Sequence, residues 1–211
     1  ISAFLKGRKQ KVVLGDVESD WKDVLSGVPQ GSVLGPLLFI VYINDMPTLL
    51  THVCKLFADD SKLIGLIRNK QDSINLQSDI DLLVQWAQDW SMLFNDEKCK
   101  VMYIGNKKRT KHIYSIKSST NLVPHILQET PAEKDLGVYI SNNLKWRTQV
   151  DDAVHKANSV LGSLKRSFSC WTKISLKILY TVFVRPHLEY ANTVWCPYLK
   201  HDIRALERVQ R

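Results

Sequence analysis

The sequence predicts an α+β fold in two parts, an antiparallel sheet with packed helices over residues 1–141 and a small helical region over 142–211. Short apolar–polar alternations bounded by glycine and proline fill the front of the chain, the pattern of strands and turns. Later, apolar residues recur at steps of four and three, the spacing of one helix face. Charge divides at the same place. Twelve Lys and Arg stand against five Asp and Glu from Asn142 onward, and seventeen against sixteen before it. Strands mixed with helices, then helices alone, argue for an α+β unit followed by a helical one.

In order, "KQKVVLGDVESDWKDVLSG" predicts two short strands around a turn at Gly15-Asp16. "GVPQGSVLGPLLFIVYINDMP" is a glycine-punctuated loop feeding a continuously apolar helix. Pro36 fits only in that helix's first turn, and Pro47 stops the segment. A helix apolar on nearly every face is expected to be buried. "VCKLFA" and "KLIGLI" are predicted strands, with Asp59 and Asp60 at or beside the bend between them. Leu76, Ile80, Leu83, Ala87 and Trp90 form an amphipathic stripe within Gln71–Trp90, a helix packing on a sheet. "CKVMYIG" and "KDLGVYIS" each predict one short strand, and a polar stretch from Asn106 to Thr120 lies between them.

Val150, Val154, Ala157, Leu161, Leu164 and Phe168 mark the next helix. Another runs from about Thr172 toward Val184, where Arg185-Pro186 breaks or kinks it. "DIRALERVQR" closes the chain as a helical pattern.

Composition narrows the function. A chain of 211 residues, 45% hydrophobic, can form one domain or two small ones with a real core. Its longest apolar run, Val33 to Ile43, is about half of what a bilayer requires, and its first residues do not show the basic–apolar–small pattern of a secretion signal. Cys54, Cys99, Cys170 and Cys196 are scattered without a CxxC pair or a histidine at ligand spacing, so separate reduced thiols are expected. A net charge of +8 concentrated in the back half suits a polyanion, or an ordinary solvated surface. The chain opens on Ile1 and ends in an unterminated helical pattern, as an excerpt of something longer would.

Two stretches carry candidate chemistry. Within a strand, Asp59 and Asp60 would point to opposite faces; at a hairpin tip that restriction relaxes. Flanked by Leu56, Phe57, Leu63 and Ile64, two adjacent carboxylates would repel one another on leaving water, a cost that a divalent cation cancels. Hard oxygen donors suit magnesium, whose other ligands come from water and substrate phosphates. Alone, an Asp-Asp pair is weak evidence, because most such pairs are solvated turns. Upstream, Gly27, Gly31 and Gly35 recur every fourth residue before a helix. Glycines there permit close approach of a phosphate to free N–H groups, or simply a tight turn. The spacing is neither that of a Walker A loop nor that of a dinucleotide fingerprint.

Taken together, "SGVPQGSVLGPLLFIVYINDMP", "KLFADDSKL", "FNDEKCKVMYIG" and "KDLGVYIS" resemble the palm of reverse transcriptases from LINE-type, non-LTR retrotransposons, nearest to the jockey-like branch. The tail from "KANSVLGSLKRSF" to "RALERVQR" resembles the region after that palm, so the resemblance covers almost the whole chain in order. It implies a partial polymerase palm over 1–141 and a helical, thumb-like region over 142–211. It also implies an RNA-directed DNA polymerase acting on an RNA template, a DNA primer and deoxynucleoside triphosphates, with two magnesium ions or manganese in their place. Asp59 would be a direct ligand of both ions and Asp60 a less direct one, with Phe57 standing where many relatives have tyrosine. Gly27, Pro29, Gln30 and Gly31 would position template and nucleotide. Lys98, with Lys100 an open alternative, would protonate departing pyrophosphate. Leu136, Gly137 and Val138 would belong to the primer grip, and Lys156, Lys165, Arg166, Lys173 and Lys177 would meet backbone phosphates or form a solvated face.

One departure matters. The family's earlier strand, which carries another metal-binding aspartate, has no counterpart here, and Asp16, Asp20 and Asp23 lack its context. The excerpt alone is therefore expected to be inactive. Nuclear and cytoplasmic location comes from the resemblance only; "NKKRT" at Asn106–Thr110 is too short to count. The alternative reading is a decayed or repurposed remnant that binds nucleic acid without polymerising.

Overall fold

A computed structural model describes residues 1–25, 27–105, 111–117 and 123–211. In chain order its first elements are α1 (Ser2–Leu5), β1 (Lys9–Gln10), β2 (Val13–Leu14), β3 (Val17–Glu18), β4 (Lys22–Asp23) and α2 (Leu34–Ile43). Next come β5 (Val53–Phe57), β6 (Asp60–Ile64), α3 (Lys70–Asp89), β7 (Lys100–Val101), β8 (Ser115–Ile116) and β9 (His125–Ile126). The remainder comprises β10 (Gln128–Glu129), β11 (Ala132–Asp135), β12 (Val138–Ser141), α4 (Arg147–Ser167), α5 (Lys173–Leu179), α6 (Arg185–Glu189) and α7 (Lys200–Gln210). The chain is thus α+β, with strands and helices mixed in front and helices behind. Among the described residues every ladder has two strands, so the broader antiparallel sheet expected of the front part is not present. No helix of the described residues is long and apolar enough to cross a membrane. Residues 106–110 and 118–120 of the polar stretch lie outside the described residues.

Two compact units form, residues 1–96 with 115–125, and residues 97–114 with 126–211. In the first, the hairpin around Gly15-Asp16 has the expected register, Leu14 opposite Val17, and β1 pairs with β4 beyond it. Pro36 is the third residue of α2, inside the first turn as its missing N–H requires. The core gathers Ile43, Met46, Trp86 and Ala87, with Phe39, Cys54, Leu56 and Leu83 against them. Burying a side chain such as Ile43 or Met46 is worth about 1.5–3 kcal/mol.

Two expectations for this unit are corrected. Only Gly35 and Ile43 of α2 are buried, while Leu37, Ile40 and Val41 remain exposed. Apolar composition makes burial favourable, but no described element covers that side of the helix. In α3, Trp86 and Asp79 are buried, whereas Trp90, the last residue of the predicted stripe, lies at the helix end half-exposed. Its ring meets Tyr42 edge-on at 4.9 Å. The helix begins where the polar residues allow it: Asn69 accepts from the Asp72 N–H at 2.9 Å, and Asp72 accepts in return from Asn69 at 3.2 Å.

In the second unit, Val150, Ala153 and Ala157 of α4 form a buried stripe against Val138, Val184, Leu188, Trp195 and Val209. Phe168, expected on that stripe, instead caps α4 in extended conformation and is exposed. The single strand expected over "KDLGVYIS" is a hairpin: β11 and β12 pair antiparallel from Ala132–Ser141 to Asp135–Val138. Gly137 allows the turn that alternation alone does not disclose. Only Lys100–Val101 of "CKVMYIG" is strand. After α5, a π-helical turn over Tyr180–Val184 carries the chain into α6, so Pro186 perturbs the helix without ending it.

Candidate active site

The Asp59-Asp60 pair occupies the tip of the β5–β6 hairpin. Cys54 pairs with Leu63 and Phe57 with Asp60, which leaves Ala58 and Asp59 as a two-residue turn. Alternation turns Cys54 and Leu56 to the core and leaves Val53, Lys55 and Phe57 outward. Burial pushes the Cys54 thiol above its ordinary range. Phe57 is 62% exposed and shares the outer face with Asp60, its cross-strand partner. Asp59 belongs to the turn, so the two carboxylates escape the opposite-face constraint of neighbours within a strand. Ala58 has φ 50°, in the left-handed region that costs a non-glycine residue roughly 1–2 kcal/mol. A backbone so placed is a recurrent property of functional turns.

Neither carboxylate has a hydrogen-bond or ion-pair partner among the described residues. Two uncommitted hard oxygen donors at an exposed tip fit magnesium, which takes one or two carboxylates and fills its shell from water and phosphate. No group of three or more His, Cys, Asp or Glu among the described residues could hold a metal ion, so these residues offer two carboxylates and not a closed cage.

The opposite end of the hairpin is fastened. Asp79, 1% exposed, accepts from the Thr51 N–H at 3.1 Å, the Thr51 hydroxyl at 3.0 Å, the His52 N–H at 2.8 Å and His52 Nδ1 at 2.8 Å. A carboxylate only accepts, so Nδ1 carries the proton. Burial pushes the Asp79 carboxyl up, but the His52 and Thr51 donors outweigh it and hold the group below the usual carboxylate range. Sequence reasoning missed this residue. Its signal was present, since Asp79 lies three residues after Leu76 and four before Leu83, within the apolar stripe.

The glycine loop belongs to the same unit. Gly27 and Gly31 have φ 81° and 78° with open space where a Cβ would stand. Between them Pro29 is half-buried and Gln30 exposed. Ser32 Oγ donates to the Pro29 carbonyl at 2.7 Å and accepts from the Gly35 N–H at 3.0 Å, which closes the loop onto the start of α2. A Cβ on Gly35 would lie 2.7 Å from the Pro29 oxygen. Arg8, also missed, donates to the Gly27 carbonyl at 2.6 Å. The helix after this loop and the β5–β6 hairpin share one core through Phe39, Cys54 and Leu56.

The remaining candidates lie in the second unit. Lys98 ends a short 3-10 turn and is exposed, while Lys100 pairs with Glu133 at 3.1 Å. Leu136 and Gly137 form the β11–β12 turn, with φ 46° and 86°, and Val138 is buried below it. Tyr190 clamps that turn. Its hydroxyl donates to the Leu136 carbonyl at 3.0 Å, and its ring lies 3.0 Å from where a Gly137 Cβ would stand. A cleft of about 160 Å³ beside it is lined by Lys134, Gly137, Gln149, Lys156, His187 and Tyr190. The Asp152 carboxylate, 2.6 Å away, holds Lys156 above the ordinary lysine range. Lys165, Arg166, Lys173 and Lys177 are exposed.

Paired acids on a hairpin and a glycine loop whose elements share one core, in a chain whose later residues are basic and helical, are what a template-directed polymerase would offer, and the chain belongs to the reverse transcriptase (RNA-dependent DNA polymerase) family, whose model matches residues 1–151. It is similar to the RNA-directed DNA polymerase from mobile element jockey of Drosophila melanogaster, 28% identical over all of this chain and 24% of the relative. The corresponding protein of Drosophila funebris is 29% identical over 92% of this chain and 22% of the relative. The chain therefore spans about a quarter of the length of these curated relatives. No solved structure matches it. The resemblance to non-LTR retrotransposon reverse transcriptases, carried by four motif blocks in order, is borne out.

Proposed function

We propose that this chain is the palm and thumb part of an RNA-directed DNA polymerase, in which a primer 3′ hydroxyl attacks the α-phosphorus of a deoxynucleoside triphosphate and pyrophosphate leaves. The observation that carries the reading is the pair of uncommitted carboxylates at an exposed hairpin tip, Asp59 in the turn and Asp60 at the start of β6, in a chain of this family. These residues would hold magnesium, or manganese in its place. The ion supplies charge stabilisation at the reacting phosphate and lowers the pKa of an attacking oxygen. Gly27, Pro29, Gln30 and Gly31 orient template and nucleotide through a backbone that can be approached closely. Phe57 offers an exposed ring beside Asp60. Lys98 supplies a proton to the leaving pyrophosphate. The Leu136–Val138 turn holds the primer strand, and Lys156, Lys165, Arg166, Lys173 and Lys177 meet phosphates of template and primer in the thumb.

Primer extension by the full-length parent, compared with its Asp59→Ala variant, tests the reading. Loss of about 100-fold or more is expected, because metal stabilisation is worth several kcal/mol. Equal extension by both would remove Asp59 from the mechanism. A second reading, a remnant that binds nucleic acid without copying it, rests on the pair of acids lacking a third described ligand. It predicts binding of template and primer by the parent with no extension at all.

A further inference from the structure

From Ala153 to Leu188 the chain has no Asp or Glu but six Lys and Arg. Two of the six find carboxylates outside the stretch: Lys156 pairs with Asp152 at 2.6 Å and Arg185 with Glu189 at 2.7 Å. Pairing is common elsewhere in this unit too, as in Lys100–Glu133, Lys111–Glu129 and Arg147–Asp151. Lys165, Arg166, Lys173 and Lys177 differ. All four are exposed and none meets a carboxylate among the described residues, Arg166 donating only to Ser163 Oγ at 3.2 Å.

These four cations flank a corner between α4 and α5 that holds two aromatic rings. Phe168 and Trp171 lie with centroids 6.0 Å apart at 63°, and they remain 43% and 38% exposed. The corner is defined at both ends. Phe168 leaves α4 in extended conformation, its N–H bonded to the Leu164 carbonyl at 3.1 Å. Thr172 and Ser175 cap α5 reciprocally at 2.9 and 3.0 Å. Aromatic rings left more than a third exposed between uncompensated positive charges match a ligand with flat apolar faces on an anionic backbone. Bases within a duplex already stack on one another, so only unpaired nucleotides can offer their faces.

We propose that the α4–α5 corner seats single-stranded nucleic acid, with bases stacking on Phe168 and Trp171 and phosphates meeting Lys165, Arg166, Lys173 and Lys177. The inference rests on the polymerase reading for those phosphate contacts and adds that the strand held here is unpaired.

The test is fluorescence anisotropy of the 211-residue chain with a labelled oligouridylate and with a duplex of equal length. Replacing both rings (Phe168→Leu with Trp171→Leu) should weaken single-strand binding by about 30-fold or more, since stacking is worth about 1–3 kcal/mol per base and two bases are affected. Duplex binding should stay unchanged, and Phe168→Tyr with Trp171→Phe should restore single-strand affinity. Changing the four cations to Gln should weaken both ligands and flatten the single-strand salt dependence by about 3 units of log–log slope. Unchanged single-strand binding by the leucine pair overturns the proposal, as does an equal loss on both ligands. So does a leucine pair that loses only adhesion to anionic vesicles, which would mark a lipid surface. If the chain binds neither nucleic acid, this proposal falls, and the polymerase reading is decided separately by extension with the parent. If it binds duplex and the rings prove irrelevant, only the stacking claim falls. Asp59 is untouched in every variant, so extension by the parent remains an independent check.

Discussion

The two hairpins of this molecule, β5–β6 and β11–β12, are built alike and held differently. Each closes through a two-residue turn with left-handed backbone, Ala58-Asp59 in one and Leu136-Gly137 in the other. In the first, the fastening is at the base, where Asp79 gathers Thr51 and His52, and the acidic tip is bare. In the second, the fastening is the tip itself, with Tyr190 bonded to Leu136 and packed on Gly137. The positive φ falls on an alanine where the tip is open, and on a leucine-glycine pair where it is clamped. An anchored base with a free tip leaves side chains available to a ligand. A clamped tip presents backbone in a set position.

Substitutions at the two hairpins test whether they are held as described. The largest effect is expected from Asp79→Ala, which strands the Thr51 and His52 donors and should lower stability by about 3–5 kcal/mol in chemical denaturation. A loss below about 1 kcal/mol would show that the base of β5–β6 is not fastened there. The same group predicts a pH signature. Its folded pKa lies below the unfolded value of about 3.9, so its contribution is complete above that value. It is lost as pH falls through the lower folded pKa, and Asp79→Asn should abolish that acid-side loss.

Gly137→Ala should cost about 2 kcal/mol, because alanine resists φ 86° and its Cβ would press on the Tyr190 ring. A neutral result would mean that the clamp yields. Tyr190→Phe isolates the hydroxyl, with about 1 kcal/mol expected in thermal or urea unfolding. Smallest and opposite in sign, Ala58→Gly should stabilise the chain by about 0.5 kcal/mol, relief of backbone strain exceeding the added unfolded-state entropy. Destabilisation there would show that the open tip is not strained.

Much of this was legible in the residues. The Gly15-Asp16 hairpin, the β5–β6 pair around Asp59 and Asp60, Pro36 in a first turn and the stripe of Val150, Val154 and Ala157 all reflect local period or backbone chemistry. The motif blocks carried the family. Asp79 was visible as a carboxylate at apolar-stripe spacing and went unread, because periodicity scores a charged residue as surface. Tyr190 and Arg8 had no local signal at all, since each acts on a residue far away in sequence. Phe168 looked like core because it keeps the α4 spacing, but the helix ends one residue before it.

The family, the two adjacent acids and the glycine loop before a helix can be read from the residues alone, because these depend on residue identity and near-neighbour spacing. Folding alone shows that the acids stand at an uncovered hairpin tip, that a buried carboxylate fastens their hairpin and that a distant tyrosine clamps the other. Those are relations between residues brought together by folding, and neither a period of two nor one of 3.6 encodes which distant side chain arrives.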